Sequence, residues 1–148
     1  MLPEKTHEYW MKMALKEAIY AAQQDEVPVG ALVVCNGTII GKGYNQVEKL
    51  TDVTAHAEML AITAACNYLG AKFLEDCTLY VTLEPCLMCA SALKWARIGN
   101  LVYGASDLKA GFSLYGQNIL HPKTSVVAGV LKEECGSIVT DFFKSKRE

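Results

Sequence analysis

The dipeptide Asn36-Gly37 lies between two runs of strand-forming residues, and it constrains the fold more than any other feature of the sequence. Asn-Gly is the strongest short-range signal for a two-residue β-hairpin, because both residues tolerate the positive φ that such a turn requires. It therefore predicts two strands, over 29–35 and 38–44, that pair in antiparallel fashion.

Helices and strands alternate along the rest of the chain. Helix-like periodicity covers 6–24, where Trp10, Ala14 and Ala18 share one face. Further helices are predicted over 55–69 (capped by Asp52 or Thr54), 86–96 and 131–146, further strands over 78–83, 101–104 and 126–128, and loops over 45–53 and 107–125. A hairpin followed by this alternation predicts a three-layer α/β/α sandwich with a mixed, five-stranded sheet.

Length and composition place this fold in one globular domain, over residues 1–148. A chain of this size buries roughly two-thirds of its unfolded surface, so its core needs no disulfides or structural metal to support it. No apolar run reaches the ~18 residues of a membrane span. Residues 1–5 lead into a polar stretch and lack the apolar segment of a signal peptide, so we expect a cytoplasmic protein.

The net charge of −2 argues against indiscriminate binding of nucleic acid, which needs a basic surface. Cations are nevertheless concentrated near the C-terminus, at Lys144, Lys146 and Arg147, with Glu148 following. Two interpretations remain open. The cations either contact a polyanion or complement the dipole at the end of a helix.

The six cysteines fall into two groups. Cys35, Cys66, Cys77 and Cys135 are isolated and are expected to be small buried hydrophobes. Cys86 and Cys89 are three residues apart at the predicted start of a helix, so they share one face there. Such a pair is a redox couple, half of a structural zinc site, or part of a catalytic metal site.

His56, at the start of another predicted helix, offers a third ligand. Two sulfurs and one nitrogen suit zinc, and three protein ligands leave the fourth position to water, as in catalytic zinc sites. A structural site would need a second Cys or His pair, and the isolated cysteines lack that spacing. Glu58, two residues beyond His56, is placed to exchange protons with such a water.

Together the two segments match the zinc-deaminase signature His-x-Glu…Pro-Cys-x-x-Cys. Over almost its whole length the chain resembles the cytidine-deaminase-like superfamily, and most closely the bacterial tRNA-specific adenosine deaminases. The stretches that carry the resemblance are 7–11, 26–31, 54–58, 79–86, 97–99, 103–105 and 141–144.

The resemblance implies hydrolytic deamination of the wobble adenosine in a tRNA anticodon loop to inosine. His56, Cys86 and Cys89 would hold one zinc ion per subunit, and Glu58 would shuttle protons between the activated water and the leaving group. The partners implied are a tRNA anticodon stem-loop and a second copy of the chain in a homodimer, with no membrane.

The resemblance also assigns substrate contacts, each beside a structural alternative. Asn45 would contact the base and ribose, or serve as a turn residue. The Ala57 backbone and the Glu84 side chain would face the base, or Glu84 would brace its own turn. Asp107 would lie near the anticodon-loop backbone, or cap a helix or turn.

Phe142 and Lys144 complete the predicted substrate contacts. An aromatic pair, Phe142-Phe143, followed by cations suits nucleobases and phosphates. The alternative is that one phenylalanine belongs to the core and the other covers an apolar face.

Two features of the sequence leave the substrate open. Residues 106–116 depart from the usual family sequence, with Ser106 where an arginine often precedes the aspartate. Residues 64–71 and 95–97 resemble guanine deaminases, so the alternative function is deamination of a free base or nucleoside such as guanine or cytosine/cytidine. A zinc-dependent RNA-binding module without catalysis is disfavoured, since such a module would lack Glu58.

Overall fold

The computed structural model describes residues 5–147, so residues 1–4, on which the expectation about a signal peptide falls, and Glu148 of the cationic tail lie outside it. Five strands form one mixed sheet in the order β2-β1-β3-β4-β5. The strands are β1 Gly30–Cys35, β2 Thr38–Tyr44, β3 Cys77–Leu83, β4 Asn100–Ala105 and β5 Ser125–Ala128. The helices are α1 His7–Gln23, α2 Val47–Leu50, α3 Ala57–Leu69, α4 Leu87–Trp95 and α5 Lys132–Lys146.

The hairpin and the mixed sheet are confirmed. Strand β1 pairs antiparallel with both β2 and β3, while β3–β4 and β4–β5 are parallel. Asn36 and Gly37 have φ values of 51° and 74°, as the predicted tight turn requires.

Helices cover both faces of the sheet, as the three-layer prediction requires. On one face Ala31 and Val33 of β1 pack with the buried alanines of α3 and with Leu93 of α4. On the other face Leu32 and Val34 pack with α1 and with Cys135 of α5. Neighbouring β1 residues thus enter opposite cores, because side chains alternate across a strand.

Helix α3 lies unusually close to β2. A Cβ atom on Gly41 would stand 2.5 Å from the Ala61 carbonyl oxygen, and one on Gly43 would stand 2.5 Å from that of Ala57. Since real Cβ atoms do not approach backbone that closely, glycine at both positions lets the start of α3 settle on the sheet. His56, which immediately precedes α3, is thereby fixed relative to the strands.

The structure differs from the predicted elements at three places. The predicted loop 45–53 contains the short helix α2, and the predicted loop 107–125 contains a 3-10 helix, Phe112–Tyr115. The residue at the N-cap of α3 is His56, so the prediction of an Asp52 or Thr54 cap is wrong. Asp52 instead accepts hydrogen bonds from the Thr54 amide and hydroxyl, which closes a tight turn before the helix.

Among residues 5–147, no helix has both the length and the apolar character needed to cross a membrane.

Candidate active site

Two helices begin beside each other and place the predicted metal ligands together. His56 precedes α3, Cys86 precedes α4, and Cys89 lies in the first turn of α4. The Nδ1 atom of His56 lies 3.6 Å from Cys86 Sγ and 3.4 Å from Cys89 Sγ. All three ligand atoms lie within 4.8 Å of one another.

This donor set fits a zinc ion. Zn–S distances of about 2.3 Å and Zn–N distances of about 2.0 Å, in tetrahedral geometry, separate neighbouring ligand atoms by about 3.5–3.8 Å. The two measured His56–sulfur distances lie at that separation within about 0.1 Å. Imidazole and thiolates are also the ligands that zinc prefers.

Hydrogen bonding prepares one of the thiols for a cation. Hydrogen bonds from Cys89 and His56 lower the pKa of Cys86 to about 4, against its partial burial. The hydrogen bond with Cys86, together with burial, raises the pKa of Cys89. Cys86 therefore carries a thiolate at neutral pH, and a bound cation would displace the Cys89 proton, because metals bind the deprotonated sulfur.

Glu58 is a buried carboxyl group beside the three ligands, with 4% of its surface exposed. Burial raises its pKa to about 7, and the neighbouring His56 acts in the opposite direction. A carboxyl group with such a pKa both accepts and donates protons near neutrality, which general acid–base catalysis requires.

His56, Cys86 and Glu58 line a cavity of about 960 Å³. That volume is at the upper end of the range for small-molecule sites. Of the predicted site residues, His56, Cys86, Glu58, Asn45, Ala57, Glu84, Asp107 and Phe142 line it. Cys89 is fully buried and does not line the cavity. Lys144 of α5 does not line it either, whereas Lys146 of the same helix does.

Three of the predicted substrate contacts also hold the cavity wall together. The Asn45 side chain donates to the Val27 carbonyl and accepts from the Val47 amide, each at 3.3 Å. Asp107 accepts from the amides of Lys109 and Ala110 at 3.0 and 3.1 Å, which caps a turn.

Glu84 is the third. It accepts one hydrogen bond on each carboxylate oxygen, from the amides of Asp107 and Ser113, both at 3.0 Å. Asn45 and Asp107 thus make the turn and cap contacts that the sequence left open, whereas Glu84 braces the distant segment 107–113 rather than its own turn.

Residues of the C-terminal helix close one side of the cavity. Phe142 lines it and makes an edge-to-face contact with Phe143, their ring centroids 5.5 Å apart. Lys146 forms an ion pair with Asp25, which follows α1 and also lines the cavity. The end of α5 is thus held against the end of α1.

Glu26 is a cavity residue to which the sequence analysis assigned no role. It is 1% exposed, and its two carboxylate oxygens accept from the amides of Glu48 and Lys49 at 3.0 and 2.7 Å. The available signal was a charged residue four positions before the start of the apolar strand β1, in a stretch that the family resemblance already included.

Comparison with known proteins agrees with this geometry. Residues 4–105 match the family model of the cytidine and deoxycytidylate deaminase zinc-binding region. The tRNA-specific adenosine deaminase of Agrobacterium fabrum is 43% identical over 99% of this chain and 98% of its own length.

Solved structures are also similar. One from a study of A-to-I editing by tRNA:A34 deaminases at the wobble position of transfer RNA has 44% identity and a TM-score of 0.81, covering 86% of this chain and 96% of its own. A guanine deaminase from Bacillus subtilis has 42% identity and a TM-score of 0.66, covering 69% of this chain and 66% of its own.

Proposed function

The chain belongs to the zinc-binding cytidine and deoxycytidylate deaminase family and, within it, to the tRNA-specific adenosine deaminases. From that premise we propose that it hydrolyses the wobble adenosine of a tRNA anticodon loop to inosine, with release of ammonia. The observation that carries the proposal is Glu58, buried beside the His56, Cys86 and Cys89 ligand atoms at a cavity large enough to admit a nucleoside.

Zinc is the cofactor, and His56 Nδ1 with the sulfurs of Cys86 and Cys89 would hold it. When bound, zinc lowers the pKa of water towards ~7 and so supplies a nucleophile at neutral pH. The remaining chemistry belongs to the protein side chains and to the backbone that orients the base.

Glu58 is the proposed acid–base group. Its carboxylate takes a proton from the water that attacks C6 of the purine and delivers it to the exocyclic nitrogen, which leaves as ammonia. One water is consumed and one ammonia is released, so atoms and charge balance. Burial supports this role, because it brings the pKa of Glu58 to about 7, where the group works in both directions.

An anticodon loop is a favourable source of the base. Extracting a base from a duplex costs the energy of unpairing and unstacking, whereas a loop base is already exposed. Asn45, Ala57 and Phe142 all line the cavity, which is a suitable enclosure for a purine. Lys144 and Arg147, exposed on the same helical end as Phe142, supply cations for the phosphates.

A homodimer of this single domain, spanning 1–148, completes the proposal. The outer side of α4 and the adjoining 3-10 helix expose large apolar side chains: Leu87, Trp95, Leu114 and Tyr115. Aromatic and aliphatic groups in such a patch are typical of the buried centre of protein interfaces. Light scattering at micromolar concentration tests this, with a mass of one chain as the contrary result. Since tRNA is the substrate, the cytoplasm is the expected location.

The decisive test is inosine formation by zinc-loaded protein on an anticodon stem-loop with adenosine at the wobble position. Free adenosine, cytidine and guanine are assayed in parallel, and a stem-loop with its adenosine moved by one nucleotide is the matched control. We expect inosine in the first stem-loop only. Ammonia from free guanine, with the stem-loop unchanged, would support the other activity suggested by the similarity to a guanine deaminase.

A further inference from the structure

The loop that follows β4 is held in place by one buried side chain. Glu84, 3% exposed, accepts the Asp107 amide on one carboxylate oxygen and the Ser113 amide on the other. Gly111 lies directly on the same carboxylate, since a Cβ atom there would stand 2.4 Å from it. Residues 107–113 therefore wrap around the Glu84 carboxylate.

Main-chain contacts anchor the rest of this loop. The Phe112 amide donates to the Pro85 carbonyl at 2.9 Å, and Gly111 bridges to Cys86. These contacts from residues 84–86 are all made to the backbone of the loop. Within the loop, the Asp107 carboxylate accepts from the Lys109 and Ala110 amides, so the loop is held without a contact from the Leu108 side chain.

Leu108 occupies that tip with 84% of its surface exposed, the largest exposed fraction among the large apolar side chains of residues 5–147. Its neighbours Asp107 and Ala110 line the cavity. An aliphatic side chain exposed at the mouth of a base-binding cavity removes apolar surface from water when it packs on the face of a base adjacent to the one inside.

We propose that Glu84 is a positioning residue for RNA selection: it fixes the 107–113 backbone so that Leu108 packs on the base flanking the target adenosine. Glu84 itself does not touch the target base. This inference rests on the proposed function. It adds a contact between Leu108 and the flanking base, and a residue, Glu84, that positions Leu108 for that contact.

The test couples a protein change to an RNA change. Inosine formation is measured on the stem-loop and on two versions in which the base 5′ or 3′ of the target is replaced by an abasic site. For the wild type we expect one abasic site to lower kcat/KM about tenfold, because the apolar surface of Leu108 then stays exposed to water. For Glu84→Gln we expect that penalty to fall below about threefold, because one partner of the contact is already misplaced.

Leu108→Ala tests the contact with the flanking base separately from the position of the loop. It should reduce the abasic penalty as Glu84→Gln does, yet leave amide hydrogen exchange at Asp107 and Ser113 unchanged. Glu84→Gln should accelerate exchange at those two amides. Glu26→Gln, the same change at the other buried glutamate, is the matched control and should accelerate exchange at Glu48 and Lys49 instead.

Each outcome is decisive. An equal abasic penalty in wild type and Glu84→Gln would overturn the inference, since a direct contact with the target base or a general loss of stability gives additive effects. The absence of any penalty in the wild type would also overturn it. If the wild type forms no inosine on any stem-loop, the proposed function itself fails.

Discussion

The metal centre and the rim of the cavity are built in different ways. His56, Cys86 and Cys89 stand at the starts of two helices that pack in the core, so main-chain geometry alone brings them together. The rim consists of α2, the 107–113 loop and the end of α5, which are attached by Glu26, Glu84 and the Lys146–Asp25 pair. The metal centre, which carries out the chemistry, therefore tolerates little change. At the rim, which contacts the substrate, exposed side chains can vary while the backbone stays fixed.

The largest effect is expected from removing a ligand at the metal centre. Cys86→Ala should lose bound zinc and lower turnover by at least ~1,000-fold, because water then keeps a pKa far above neutrality. Elemental analysis gives the zinc content. Cys135→Ala is the control for loss of a cysteine side chain, since Cys135 is buried at the opposite face of the sheet, away from the metal centre. Full zinc occupancy in Cys86→Ala would contradict the ligand assignment.

Glu58→Ala distinguishes, within the metal centre, the binding of zinc from acid–base catalysis. It should retain zinc but lose roughly 100- to 10,000-fold in kcat, the usual contribution of general acid–base catalysis. Zinc content and kcat are measured on the same preparation. Glu58→Gln, which keeps the size of the side chain, should be equally inactive, so cavity shape is not the cause. Activity like that of the wild type would remove Glu58 from the mechanism.

The sequence predicted the metal centre and left the rim partly open, for a physical reason. The ligands Cys86 and Cys89 are close in sequence and sit at a helix start, so spacing alone predicts their geometry. Glu26 and Glu84 act on segments more than 20 residues away, at Lys49 and Ser113. No local pattern reveals such a partner, which explains why Glu84 stayed ambiguous and Glu26 had no predicted role.

The same reasoning explains the errors in element boundaries. Helix α2 is one turn long and its first amides bind Glu26 from a distant segment, so local propensity does not predict it. Aspartate is a favourable residue type for a helix N-cap, but Asp52 accepts a hydrogen bond from the Thr54 amide and closes a turn instead. The sequence predicts the strands and the long helices well. Their apolar residues recur with a regular period over several helical turns or along a whole strand.

Substitutions in the cationic end of α5, which belongs to the rim, should have an effect of intermediate size. Changing Lys144, Lys146 and Arg147 to Ala should weaken stem-loop binding and flatten its salt dependence, by about 0.7 in log–log slope for each phosphate that the protein no longer neutralises. Lys12→Ala, an exposed lysine on α1, is the control for a simple change of net charge. An unchanged slope would mean that these cations serve only the helix end.

The smallest effect concerns the Lys146–Asp25 pair, which joins α5 to the end of α1. Its side chains are 48% and 73% exposed, so solvent screens the attraction and Asp25→Asn should lower the free energy of unfolding by less than ~1 kcal/mol. The same change frees the Lys146 ammonium and removes a negative charge from the cavity lining. Binding of the stem-loop should therefore become slightly tighter at low salt, by about twofold to fivefold, and the gain should vanish near 1 M salt. Urea unfolding and binding titrations at the two salt concentrations measure both quantities. Weaker binding in Asp25→Asn would show instead that the pair holds Phe142 in its working position, and the rim would then depend on this ion pair as the metal centre depends on its ligands.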